Sequence, residues 1–122
     1  MKAIRLIALA ACMAATLDAS AQEQEIRLFS HRGGRMEHDE NTLSAFQASY
    51  DAGYRGFETD IRMTRDGALV ITHDSSLERT TDGTGTVEEK TEAEIRRLRT
   101  KQGNKVLFLD ELLEFLEGKE GL

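Results

Sequence analysis

Cysteine is almost absent from this sequence, because Cys12 is the only one among its 122 residues. A disulfide needs two cysteines, so the part of the chain that follows Cys12 cannot form one. A metal site in that part must therefore use oxygen and nitrogen ligands.

An excess of positive charge is also missing, since the chain has 16 Lys and Arg against 22 Asp and Glu and a formal net charge of −6. The basic residues form no stripe with interleaved aromatic side chains, which is the pattern typical of a nucleic-acid-binding surface. We therefore expect no nucleic-acid partner.

Long hydrophobic runs are limited to residues 6–17, and this run is too short to span a bilayer. It follows a basic start and precedes Ala19-Ser20-Ala21, small residues at the spacing of a cleavage site. The pattern is typical of a secretory signal peptide over residues 1–21, which predicts export to the periplasm or the medium. A second interpretation stays open, because Leu9-Ala10-Ala11-Cys12 is similar to a lipobox, whose cysteine would carry a lipid anchor.

Residues 22–122 are long enough for one small domain, and the order of their apolar segments predicts an α/β fold. The predicted elements are a strand at 26–30, a helix capped by Asn41 or Thr42 and closed by Gly53, strands at 55–63 and 68–72, a short helix capped by Thr91, a strand end at 106–109, and a helix from Asp110 to Gly118. The first strand, helix and second strand have the order of a parallel βαβ unit. Asp66-Gly67 between two apolar segments predicts a hairpin.

Two carboxylates, Glu58 and Asp60, interrupt the apolar run of the second predicted strand. In a regular strand they would share one face about 6.5–7 Å apart, because side chains alternate between faces. Two ionised carboxylates repel each other unless a cation or several donors lie between them. This pattern indicates a divalent-cation site or, alternatively, the solvent-facing side of an amphipathic strand.

Two histidines, His31 and His73, each follow an apolar strand and begin a loop. Strand ends are where catalytic groups collect in α/β folds, although a single histidine there is more often structural. The Asp66-Gly67 turn would place Asp60 opposite His73, if the pairing register holds. The third histidine, His38, lies in a charged segment and is interpreted as a solvated loop residue.

Arg32 follows His31 directly and precedes Gly33 and Gly34. A guanidinium has a planar fork that suits phosphate oxygens, and the glycines let backbone amides approach a ligand closely. A surface arginine beside a turn is the alternative interpretation of this short motif.

Several spaced motifs, taken together and in this order, resemble the glycerophosphodiester phosphodiesterase family over roughly residues 26–117. They are His31-Arg32-Gly33, Glu40-Asn41-Thr42 followed by Ala45-Phe46, Glu58-x-Asp60, His73-Asp74 with Leu77, Arg79-Thr80-Thr81, and Gly83-x-Gly85. The resemblance implies a (β/α)₈ TIM-like barrel, of which this chain would form the N-terminal portion. It also implies a small-molecule glycerophosphodiester substrate that is cleaved to glycerol phosphate and an alcohol.

The resemblance further implies a role for each matching residue. His31 and His73 would be the acid–base pair, Arg32 would bind the phosphate, Glu58 and Asp60 would hold a divalent cation, either Ca²⁺ or Mg²⁺, and Glu40 and Asn41 would build and order the site. Metal and Arg32 would then neutralise the phosphodiester, while a histidine would protonate the departing alkoxide.

Two departures from the family pattern affect these expectations. Asp39 stands where the family often has a proline, which concerns the rigidity of the loop. The family's third metal carboxylate would lie beyond Leu122, so residues 22–122 are interpreted as a truncated domain that is inactive or feeble alone. The alternatives are a phospholipase C-like or sphingomyelinase D-like enzyme that acts on intact lipids, and a non-catalytic exported module.

Overall fold

The computed structural model describes residues 26–122, so the predicted leader at 1–21 and Cys12 lie outside the described residues. The described chain is an α/β arrangement with two small open sheets and no closed barrel. The elements are β1 (Ser30–His31), α1 (Leu43–Asp51), β2 (Phe57–Glu58), β3 (Ile61–Met63), β4 (Leu69–Ile71), a 3₁₀ turn (Val87–Glu89), α2 (Glu92–Arg96) and α3 (Leu109–Leu116). Within this range, every helix is too short or too polar to cross a membrane.

The predicted parallel βαβ unit is confirmed. Strands β1 and β2 pair in parallel, with Ser30 opposite Phe57 and His31 opposite Glu58, and α1 connects them. Strand β1 is shorter than the predicted strand at 26–30, because residues 26–29 join no sheet. Ile26 and Phe29 are 84% and 62% exposed, so this segment lies largely on the surface of the described chain.

Helix α1 begins after Thr42, whose hydroxyl accepts a hydrogen bond from the backbone N–H of Ala45 at 3.2 Å. This confirms one of the two predicted caps. The buried face of the helix consists of Ala45, Phe46 and Ser49. Because this spacing defines one stripe of a helix, the neighbouring Leu43 points outward and is 40% exposed.

The predicted continuous strand at 55–63 is wrong, because the chain leaves one sheet and enters another at Thr59 and Asp60. Residues before this break pair with β1, whereas β3 pairs antiparallel with β4 in the predicted hairpin. The hairpin register places Thr72 opposite Asp60, with the Thr72 N–H donating to the Asp60 carbonyl at 3.0 Å. The prediction that His73 lies opposite Asp60 is therefore wrong by one residue.

The core has two clusters that meet at β4. Val70 packs with one cluster and Ile71 with the other, because successive residues of a strand point to opposite faces. The first cluster consists of Val70, Leu77, Val87, Ile95, Val106 and Phe108, and the second of Phe46, Ile71, Leu107 and Leu112. Residues 106–108 reach β4 through one isolated bridge and one hydrogen bond rather than the predicted strand end.

Helix α2 confirms a second prediction from local sequence. Thr91 accepts a hydrogen bond from the backbone N–H of Glu94, and the Glu94 carboxylate accepts one from the backbone N–H of Thr91. These reciprocal bonds form the predicted capping box. Helix α3 begins at Leu109, one residue before the predicted Asp110.

Candidate active site

His31 lies at the end of β1, directly opposite Glu58 of the neighbouring strand. The distance between His31 Nε2 and Glu58 Oε2 is 3.5 Å, and the two side chains are 52% and 45% exposed. The parallel register therefore places one predicted acid–base residue beside one predicted metal ligand, both accessible to solvent.

Arg32 is buried, with only 8% of its side chain exposed, and it points at two carboxylates. Its Nε lies 3.1 Å from Asp60 Oδ2, and its Nη1 lies 3.4 Å from Glu40 Oε1. The Nε contact has ion-pair distance without hydrogen-bond alignment, which leaves both atoms without a hydrogen-bond partner. Nη2 takes part in neither of these two contacts.

Asn41 closes the same loop onto Arg32. Its backbone N–H donates to the Arg32 carbonyl at 2.9 Å, and its Oδ1 accepts from the Thr59 hydroxyl at 2.8 Å. The residue is 5% exposed, and its Nδ2 donor has no acceptor. Asn41 therefore joins the loop before α1 to the break between β2 and β3.

Backbone strain and unpaired polar atoms coincide in this place. Among residues 26–122, Arg32 and Asn41 are the only non-glycine residues with left-handed φ, at 52° and 58°. The buried side-chain atoms without a hydrogen-bond partner, in the same range, are Arg32 Nε, Asn41 Nδ2 and Asp60 Oδ2. Both features cost free energy and are concentrated at functional sites. The coincidence makes this loop the candidate binding site of the described chain.

Glu40 is held by a second arginine that the sequence did not assign to the site. Arg79 Nη1 and Nη2 donate to Glu40 Oε2 and Oε1 at 3.0 and 2.8 Å. These hydrogen bonds lower the pKa of Glu40 below its ordinary value of 4.5, although burial opposes the shift. Glu40 is therefore ionised at neutral pH between two guanidinium groups.

His73 lies after β4, and its ring contacts Asp74 rather than Asp60. Its Nδ1 lies 2.7 Å from Asp74 Oδ1, while its backbone carbonyl accepts from Arg62 Nε at 2.9 Å. Asp74 also accepts a short hydrogen bond from Arg79 Nε. The hydrogen bonds from Arg79 and His73 hold the pKa of Asp74 well below its ordinary value of 3.8.

Direct contacts thus join all the predicted site residues except His73. Arg32 touches Asp60, Glu40 and Asn41, and its backbone N–H donates to the Glu58 carbonyl at 2.9 Å. His73 is connected to this group only through Asp74 and Arg79. Sequence reasoning missed these two residues as site residues, although both belong to the motifs that carry the family resemblance.

Glu58 and Asp60 are chemically suited to bind a divalent cation, but two carboxylates are too few ligands for a complete site. Carboxylate oxygens are the ligands that Ca²⁺ and Mg²⁺ prefer, and Asp60 Oδ2 lacks a hydrogen-bond partner. However, Ca²⁺ takes about six to eight oxygen ligands. Within residues 26–122, no group of three His, Cys, Asp or Glu side chains could hold a metal ion. These two residues can therefore provide only part of a metal site.

Residues 31–120 match the model of the glycerophosphoryl diester phosphodiesterase family. A glycerophosphodiester phosphodiesterase from Caldanaerobacter subterraneus subsp. tengcongensis is 41% identical over 71 residues, which are 58% of this chain and 29% of that protein. The range that matches the family model contains all the candidate site residues, from His31 to Arg79.

Solved structures give the same likeness. The glycerophosphodiester phosphodiesterase from Agrobacterium tumefaciens has a TM-score of 0.73 at 35% identity, covering 78% of this chain and 44% of that one. A phosphodiesterase from Oleispira antarctica, solved with the product sn-glycerol-3-phosphate, has a TM-score of 0.70 at 31% identity, covering 75% of this chain and 40% of that one. The chain spans less than half the length of each of these relatives.

Proposed function

Because the chain belongs to the glycerophosphoryl diester phosphodiesterase family, we propose that it forms the N-terminal part of an active site that hydrolyses glycerophosphodiesters. The observation that carries this proposal is the coincidence of strain and unpaired polar atoms at Arg32, Asn41 and Asp60. Two of the three unpaired atoms are hydrogen-bond donors, and an anionic phosphodiester supplies the acceptors that they lack.

The proposed reaction is attack of water on phosphorus, which breaks the bond to the alcohol and leaves glycerol phosphate. One of His31 and His73 takes the proton from water, and the other gives a proton to the departing alkoxide. Arg32 binds a non-bridging oxygen and stabilises the negative charge there. The likeness to a phosphodiesterase solved with sn-glycerol-3-phosphate supports a substrate that contains glycerol phosphate.

Glu58 and Asp60 are proposed to hold a divalent cation, Ca²⁺ or Mg²⁺, with further ligands from chain outside residues 26–122. Such a cation, when bound, would neutralise charge on the phosphate oxygens. Asp60 Oδ2 also lies 3.1 Å from Arg32 Nε, so the Asp60 carboxylate helps to hold the phosphate-binding arginine. Glu40 and Asn41 order the loop that carries Arg32.

The 122-residue chain alone is proposed to have little or no turnover. Export is proposed to depend on the leader at 1–21. A (β/α)₈ barrel takes about 250 residues, and both sheets of the described chain are open. Their unpaired edges need further strands.

The test is hydrolysis of glycerophosphocholine with Ca²⁺, by residues 1–122 and by the full coding sequence that contains them. We expect linear glycerol phosphate from the full protein and feeble turnover from the 122-residue chain. A cyclic phosphate product would favour the phospholipase C-like or sphingomyelinase D-like alternative. Binding of glycerol phosphate by both proteins without turnover would favour the non-catalytic module.

Calcium should bind weakly to the 122-residue chain, because only two carboxylates are available. We expect a Kd of about 1 mM or weaker by calorimetric titration, at or beyond the weak end of the protein range. Glu58→Gln should abolish the binding, since it removes the charged ligand while keeping the size of the side chain. Glu114→Gln on the exposed face of α3 is the matched control. Equal loss in both variants would contradict the assignment of Glu58, and micromolar affinity would contradict a site with only two carboxylate ligands.

A further inference from the structure

Resting on the proposed function, we propose that Arg79 is a positioning residue that fixes the phosphate-binding arginine and the histidine after β4 in one arrangement. Arg79 donates to two carboxylates from different segments, Glu40 before α1 and Asp74 after β4. All three guanidinium nitrogens take part, so the side chain is held in a single geometry. The planar guanidinium can bridge two carboxylates in this way, whereas the single ammonium group of a lysine could not.

The first consequence concerns Arg32. Glu40 Oε1 lies 2.8 Å from Arg79 Nη2 and 3.4 Å from Arg32 Nη1, so one carboxylate oxygen serves both arginines. Arg79 neutralises Glu40 and leaves the charge of Arg32 less compensated for a phosphate. Without Arg79, the carboxylates of Glu40, Asp60 and Asp74 would have one guanidinium among them. The site would then repel an anionic substrate more strongly.

The second consequence concerns the tautomer of His73. Asp74 is ionised at neutral pH, since the hydrogen bonds from Arg79 and His73 lower its pKa further below an ordinary value of 3.8. An ionised carboxylate is only an acceptor, so the proton of the neutral ring must lie on Nδ1. Nε2 is then the nitrogen that remains for proton transfer to or from the substrate. Arg79 holds the Asp74 carboxylate in the position that this tautomer requires.

The arrangement suits a positioning role rather than direct contact with the reacting atoms. The side chain of Arg79 is 48% exposed, whereas those of Glu40 and Arg32 are 13% and 8% exposed. Arg79 therefore covers the buried charges from the solvent side. Its hydrogen bonds run to the two carboxylates and not to the histidine or the buried arginine themselves.

The experiment compares Arg79→Met and Arg79→Lys with the matched control Arg97→Met, at an exposed arginine of the next segment. All are made in the full coding sequence that contains these residues. The ring nitrogens of His73 are observed by ¹⁵N NMR without substrate. We expect the Nδ1–H tautomer in the parent and in Arg97→Met, and a mixture of tautomers in both Arg79 variants. If Arg79→Met does not fold, the His73 tautomer is measured in Arg79→Lys, which keeps the positive charge.

Kinetics provide the second readout. Both Arg79 variants should lower kcat/KM about 10- to 100-fold, as is usual when a partner that orients a site residue is lost. An unchanged His73 tautomer in the folded Arg79 variants would overturn the inference, whatever the activity. Absence of hydrolysis by the parent would count against the proposed function alone, because the tautomer is measured independently.

Discussion

Replacing His73 with alanine is expected to lower kcat for glycerophosphodiester hydrolysis by about 10²- to 10⁴-fold, the usual loss when a general acid or base is removed. His31→Ala should have an effect of the same size, because each histidine serves a different proton transfer. Folding should be little affected, since the side chains of His31 and His73 are 52% and 46% exposed. Steady-state kinetics on the full coding sequence measure both losses.

The third histidine of the chain provides the matched control. His38 is exposed in the loop before α1, as the sequence predicted, and His38→Ala should retain the parent activity. Equal losses in all three variants would indicate a general effect on the loop rather than proton transfer. Parent-like activity in His31→Ala or His73→Ala would remove that residue from the acid–base pair.

Gly33→Ala is expected to destabilise the protein by about 2–5 kcal/mol, because the site loop packs directly on α1. Gly33 has a φ of +76°, and an added Cβ would lie 2.8 Å from Ala45 Cβ and 3.0 Å from the Ala45 carbonyl carbon. The left-handed conformation costs a side chain about 1–2 kcal/mol, and forced overpacking adds about 1–3 kcal/mol. Urea denaturation measures the change in the free energy of unfolding.

Gly67→Ala separates the cost of the left-handed backbone from the cost of overpacking. Gly67 has a φ of +91° in the hairpin turn, but an added Cβ there would have open space around it. The expected loss is therefore the backbone cost alone, about 1–2 kcal/mol. If the two variants lose the same stability, the close packing of Gly33 against α1 has no energetic weight.

The features that the sequence predicted correctly depend on short-range chemistry. The cap at Thr42, the capping box at Thr91 and the hairpin at Asp66-Gly67 each follow from a few neighbouring residues. The parallel pairing of β1 with β2 follows from the order of strand, helix and strand. None of these features requires knowledge of distant contacts.

The features that the sequence did not predict depend on contacts between residues that are far apart along the chain. The apolar pattern over residues 55–63 does not reveal that β1 and β4 take different parts of it, so the break at Thr59 was missed. The pairing of Arg79 with Glu40 joins residues 39 apart and has no local signal. A carboxylate next to a histidine, as in His73-Asp74, is a local signal that could have suggested the Asp74 contact.

Strand β4 belongs to both core clusters and ends shortly before His73. Val70 and Ile71 are successive residues, yet each belongs to a different apolar cluster, and His73 comes two residues later. Loosening of either cluster would therefore be transmitted along the backbone to the ring of His73. We therefore expect the two clusters to open together, as one cooperative unit, when strand β4 opens.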